Sequence, residues 1–147
     1  MLDQLYRQLV IEHSRNRRNH RKLEGSKVQQ KHYKNPTCGD VMTLFMEVST
    51  DKRINDISFV GEGCSISMAS ASMMTELIKG VSVEEASQLR EAMEQMIRKG
   101  EVSEDIDLGD ALALEGVHKL RARHNCALMA WQALDRILGD YPEYRLK

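Results

Sequence analysis

The stretch VMTLFMEVSTDKRINDISFVGEGCSISMASASMMTELIKG, residues 41–80, changes its hydrophobic period halfway along and so decides the fold. From Val41 to Val48, Met42, Leu44, Met46 and Val48 alternate with Val41, Thr43, Phe45 and Glu47, the two-residue period of a strand. Thr50-Asp51-Lys52-Arg53 supplies a turn, and Ile54 to Val60 returns as a second strand. The pair reads as an antiparallel meander ending in Gly61-Glu62-Gly63. After Cys64 the composition shifts to Ser65-Ile66-Ser67-Met68-Ala69-Ser70-Ala71-Ser72-Met73-Met74, a helix whose small residues allow close approach to a neighbour. Gly80 stands where a helix C-cap favours glycine.

Working outward, residues 26 to 33 form a weak, mostly polar strand that suits a sheet edge. Before it, Leu2, Leu5, Tyr6, Leu9 and Val10 recur at i, i+3, i+4, i+7 and i+8, one apolar face of a short helix ending near His13. The polar, basic run from His13 to Lys22 reads as a loop. On the other side, Ser82 with Glu85 is a capping box, and Ala86, Leu89, Met93, Met96 and Ile97 mark an amphipathic helix ending before Gly100. An acidic loop, Glu101 to Asp107, follows. The last helix carries Cys126, Met129, Ala130, Ala133, Leu134, Ile137 and Leu138 on one stripe, with Cys126 at its N-terminal end. The expected class is α+β: a small antiparallel sheet of about three strands packed against helices, one N-terminal and three or more C-terminal. With no repeat, second core or linker, residues 1–147 read as a single domain.

Composition narrows the function. The 147 residues are 41% hydrophobic and 29% charged, enough to bury a core without disulfides. A formal charge of -1, from 21 basic and 22 acidic residues, provides no global field to draw in nucleic acid or an anionic membrane. No apolar run approaches the ~20 residues of a membrane span, and charges interrupt the N-terminal stretch too often for a signal peptide. The expected location is the cytoplasm. In a reducing compartment three cysteines, an odd number, read as thiols for metal or redox chemistry. The run Arg15 to Lys22 holds five cations in eight residues, but no aromatic side chain interleaves with them. Nucleic-acid binding is therefore not expected, and docking onto an acidic surface or plain solvation is favoured.

The chemistry-bearing residues lie at element boundaries. Asn35-Pro36-Thr37-Cys38-Gly39-Asp40 puts a cysteine on a turn before the strongest strand, and in an extended segment Cys38 and Asp40 face the same side. Cys64 follows a glycine-rich turn at a helix N-terminus, where free N–H groups and the helix dipole favour a thiolate. Cys126 reads as occupying the same place on another helix, after Arg121, Arg123 and His124. Taken alone, a cysteine on an apolar stripe is more often a small buried hydrophobe than a ligand. Taken together, Cys38, Asp40, Cys64 and Cys126 make a tetrahedral set that suits zinc. Arg123, or His124 when protonated, would offset the excess negative charge, although a solvated histidine is the favoured reading of His124.

Asn-Pro-Thr-Cys-Gly-Asp at 35–40, Gly-Glu-Gly-Cys-Ser-Ile-Ser-Met-Ala-Ser-Ala-Ser at 61–72 and Cys-Ala-Leu-Met-Ala-Trp at 126–131 resemble the three cysteine motifs of the SufU/IscU-type iron-sulfur cluster assembly proteins. The chain is more similar to the SufU branch. Its stretch between Cys64 and Cys126 is longer than in the IscU scaffolds, through a segment running to Ile106-Asp107-Leu108-Gly109-Asp110, and it lacks their Leu-Pro-Pro-Val-Lys motif. The resemblance implies zinc held by Cys38, Asp40, Cys64 and Cys126. It also implies sulfur accepted on Cys38 from the persulfide of a pyridoxal-phosphate cysteine desulfurase of the SufS type. Such a protein is a sulfurtransferase-like acceptor rather than a stand-alone enzyme. The alternatives are a scaffold on which a [2Fe-2S] cluster is assembled by the same side chains, and a structural zinc domain that serves protein interaction.

Overall fold

The computed structural model describes residues 2–36 and 39–144, so Cys38 lies outside the described residues. Three strands, β1 (Val28–Lys34), β2 (Val41–Val48) and β3 (Ile54–Glu62), form an antiparallel sheet in the order β1-β2-β3. Leu44 pairs with Phe59 and Met46 with Ile57, so both alternating sets turn their large side chains to one buried face. β1 is an edge strand, largely exposed, as its polar sequence requires.

Helix α1 (Leu2–Arg15) precedes the sheet, and α2 (Ser65–Ile78), α3 (Val83–Lys99) and α4 (His124–Leu138) follow it. The expected α+β class is the observed one. Nearly all of α2 beyond its first turn is buried, because serine and alanine let α1, α4 and β3 pack closely round it. Ser70 Oγ donates to the carbonyl oxygen of Ala127 at 2.5 Å, which fixes the start of α4 against α2. α3 begins with the expected Ser82–Glu85 capping box and ends at Gly100 in the left-handed region, φ 73°.

Several local expectations are corrected. α1 continues to Arg15, and its buried side consists of Tyr6, Leu9, Val10 and His13, with His13 fully buried; Leu5 is 52% exposed. The stripe thus runs on through a polar residue that makes internal hydrogen bonds. At the end of α2, by contrast, Gly80 stands where expected, at φ 88° directly after the C-cap Lys79. Residues Gly109–Lys119, which begin where the extra segment ends, form a 3-10 helix whose Ala111, Ala113, Leu114 and Val117 are buried. The basic run after α1 is not simply solvated. The Arg18 N–H donates to Ser72 Oγ at 2.8 Å, the Asn19 carbonyl accepts from the Phe59 N–H, and Arg21 pairs with Asp56. Among the described residues no helix is long and apolar enough to cross a membrane.

Candidate metal centre

Three elements converge at the N-terminal end of α2. Asp40 stands just before β2, Cys64 is the N-cap of α2 and Cys126 lies in the first turn of α4. Asn35 and Asp40 are joined by a hydrogen bond from the Asn35 N–H to the Asp40 carbonyl at 2.7 Å, and the Gly39 N–H donates to the Asn35 carbonyl at 2.9 Å. Asn35 and Asp40, the two ends of the Asn-Pro-Thr-Cys-Gly-Asp segment, are therefore held together. Gly39 adopts φ 77°, a conformation that favours glycine.

A carboxylate oxygen of Asp40 and the sulfurs of Cys64 and Cys126 all lie within 4.8 Å of one another. Cys64 is half-buried and Cys126 is 1% exposed, and neither is in a disulfide. Cys64 has the extended backbone of an N-cap, and its sulfur accepts the Ser67 N–H at 3.4 Å. The Cys64 N–H in turn donates to Asp40 Oδ2 at 3.3 Å, and the Ser67 hydroxyl donates to the same oxygen. A Cβ on Gly63 would stand 2.8 Å from Asp40 Cγ, so the carboxylate can lie against the chain only because residue 63 has no side chain.

Cys126 is not placed as Cys64 is. It is the third residue of α4, whose N-cap is Arg123, and no side chain caps that end. What Arg123 contributes is charge: its hydrogen bond to Cys126, then the charges of Cys64 and Cys126, raise the exposed guanidinium above the usual arginine range. His124 is 7% exposed, and its Nε2 donates to the His118 carbonyl at 2.7 Å. It is thus a buried structural histidine, not a solvated one.

The donor chemistry fits zinc. Two thiols and one carboxylate oxygen within 4.8 Å of one another are donor types that a tetrahedral zinc site uses. Residues that sequence reasoning missed are Ser67 and Gly63, the side chain and the gap that hold Asp40. The Gly-Glu-Gly-Cys-Ser-Ile-Ser motif contained both, but only their packing value showed.

The chain is similar to known proteins over most of its length. The family model described as the NifU-like N terminal domain matches residues 5–127. A zinc-dependent sulfurtransferase SufU from Bacillus subtilis (strain 168) is 47% identical over 135 residues, covering 92% of this chain and 90% of the relative. An iron-sulfur cluster assembly scaffold protein IscU from Streptococcus pyogenes serotype M1 is 42% identical, over 90% of this chain and 82% of that protein. The crystal structure of a candidate iron-sulfur cluster assembly scaffold protein for the SUF system, from Fervidobacterium islandicum AW-1, superimposes with a TM-score of 0.79 at 32% identity. That match covers 88% of this chain and 93% of that one.

Proposed function

From a chain that belongs to the NifU-like N-terminal domain family, we propose a zinc-dependent sulfur-transfer protein of iron-sulfur cluster biogenesis. It accepts persulfide sulfur from a pyridoxal-phosphate cysteine desulfurase. The observation that carries this reading is the meeting of Asp40, Cys64 and Cys126 within 4.8 Å at one corner. Cys38, two residues from Asp40, completes the donor set, and the zinc-dependent SufU relative at 47% identity supports the choice of metal. When bound, zinc supplies a Lewis-acid centre that keeps its thiolate ligands deprotonated.

The chain's own residues divide the work. Cys64 and Cys126 are fixed by helices, one as a cap and one inside a first turn, and serve as anchors. Arg123 faces both sulfurs and offsets their negative charge. Cys38 is the acceptor. Its thiolate attacks the outer sulfur of the desulfurase persulfide, and the new S–S bond forms as the old one breaks. The desulfurase cysteine leaves as a thiolate and takes a proton, so the exchange needs no added oxidant.

The test incubates zinc-loaded protein with a cysteine desulfurase and cysteine, then maps persulfide by alkylation and mass spectrometry. One extra sulfur on Cys38, absent in Cys38→Ala, together with faster desulfurase turnover, is the expected result. Stoichiometric zinc without persulfide or stimulation would sink the idea. The second reading, a [2Fe-2S] scaffold, is favoured by the IscU relative at 42% identity. A stable, transferable chromophore after anaerobic reconstitution, formed in preference to tight zinc, would select it.

A further inference from the structure

Resting on the zinc reading above, we propose that Ser67 is a positioning residue that holds the Asp40 carboxylate within reach of Cys64 and Cys126. Ser67 is fully buried in the first turn of α2, three residues after Cys64. Its hydroxyl donates to Asp40 Oδ2 and stands 3.3 Å from Cys64 Sγ, while its N–H donates to that sulfur at 3.4 Å. One buried residue thus touches two site residues that come from different elements.

Cys64 is fixed by its place as the N-cap, and Cys126 by a helix that Ser70 ties to α2. Asp40 sits in a connecting segment, and two donors reach its Oδ2: the Cys64 N–H and the Ser67 hydroxyl. On its other side it lies against the backbone at Gly63. A hydroxyl donating to a carboxylate is a charge-assisted hydrogen bond, stronger and more directional than a neutral one. Removing it takes the hydroxyl donor away from Oδ2, while the longer Cys64 N–H contact at 3.3 Å remains.

Partners that orient a ligand typically contribute about 10- to 100-fold to metal affinity. Ser67→Ala removes one oxygen atom and keeps the N–H bond to Cys64, so the helix cap survives. Zinc affinity, read by competition with a chromophoric chelator, is expected to fall about 10- to 100-fold. The sulfur-to-metal charge-transfer absorption of the cobalt-substituted protein should stay at wild-type intensity, because the thiolates are unchanged. In an Asp40→Ala background the further loss on changing Ser67 should vanish, since the residue acts through Asp40.

Equal zinc affinity in wild type and Ser67→Ala overturns the proposal, and so does an equal loss in the Asp40→Ala background. Should Ser67→Ala not fold, the isosteric pair Ser67→Thr and Ser67→Val makes the same comparison, with the hydroxyl-bearing variant binding more tightly. A wild-type chain that takes up no zinc ends both this proposal and the functional reading. Tight zinc indifferent to Ser67 ends this one alone.

Discussion

Helix α2 carries two clusters of side chains able to bind a metal, one near each end, and they are built to opposite purposes. Asp40, Cys64 and Cys126 meet at its N-terminus; His13, Glu76 and Asp110 meet further along, again within 4.8 Å of one another. In the second cluster the imidazole is committed at both nitrogens, with His13 Nδ1 2.8 Å from Ser72 Oγ and Nε2 2.9 Å from Asp110 Oδ2. Ser72 also takes the Arg18 N–H, so a consistent proton placement has Ser72 donating to Nδ1 and Nε2–H donating to Asp110. That chain ties α1, α2 and the 3-10 helix into a latch. At the first cluster the donors are soft sulfurs on rigid elements with an exposed cation, Arg123, against them. Proximity is common to both, so donor softness and the commitment of the ring nitrogens separate a candidate metal centre from a structural lock.

The widest expected gap between the two regions is the response to metal. Zinc bound to the folded state alone, at a free concentration about 1,000 times its Kd, adds about 4 kcal/mol of stability. Thermal melts with zinc and with excess chelator should show that increment in the wild type and in latch variants, and lose it in Cys64→Ala. Identical melts with and without zinc in the wild type would break the contrast from the metal side.

Next in size is the latch itself. His13→Ala leaves a hydrogen-bonding group of Ser72 and one of Asp110 without their buried partner, a cost of about 2–3 kcal/mol. Denaturant unfolding of the zinc-free protein measures it. Zinc affinity in the same variant should stay within about twofold of wild type, because additivity holds for sites that share no partner. A large loss of zinc on removing His13 would show that the two clusters are coupled through α2.

What was legible in the sequence was whatever depends on local spacing. The two-residue period of β2, the return of the chain as β3, the Ser82–Glu85 box and Cys64 at a helix start are set by neighbours a few residues away, and all are observed. The latch was not legible, because His13 and Asp110 are 97 positions apart and nothing local pairs them. By sequence His13 reads as the end of a helix, yet it continues the spacing of Tyr6, Leu9 and Val10; a polar residue on an apolar stripe signals a buried hydrogen bond. The serines of α2 were legible as small but not as donors. Ser67, Ser70 and Ser72 each bond a different element, namely the Asp40 segment, α4 and α1. His124 misled for the same reason: its partner is the His118 carbonyl, contributed by a 3-10 helix that carries no strong period.

The smallest effect lies at the outer end of the latch, where the basic run after α1 is pinned to β3. Burial alone would push the Asp56 carboxyl up. The hydrogen bond from Arg21, the Ile57 N–H and the charges of Arg21 and Lys79 together outweigh it and hold the group below the usual carboxylate range. Arg21 Nη2 is 3.1 Å from Asp56 Oδ1, and Lys79 Nζ is 3.4 Å from the same oxygen. A carboxylate whose folded pKa is depressed contributes stability that is present above its unfolded pKa and lost as the pH falls through the folded one. The loss therefore belongs below about pH 4. Because the pair is partly exposed, its size is about 0.5 kcal/mol and shrinks with added salt. Melts of zinc-free wild type and Asp56→Asn between pH 3 and 5 should converge as the pH falls, with the variant less stable at the upper end. Parallel curves would mean that the basic run is held by the Arg18 N–H and by the carbonyl and side-chain amide of Asn19, and that the latch ends at Ser72 and Thr75 rather than at Asp56.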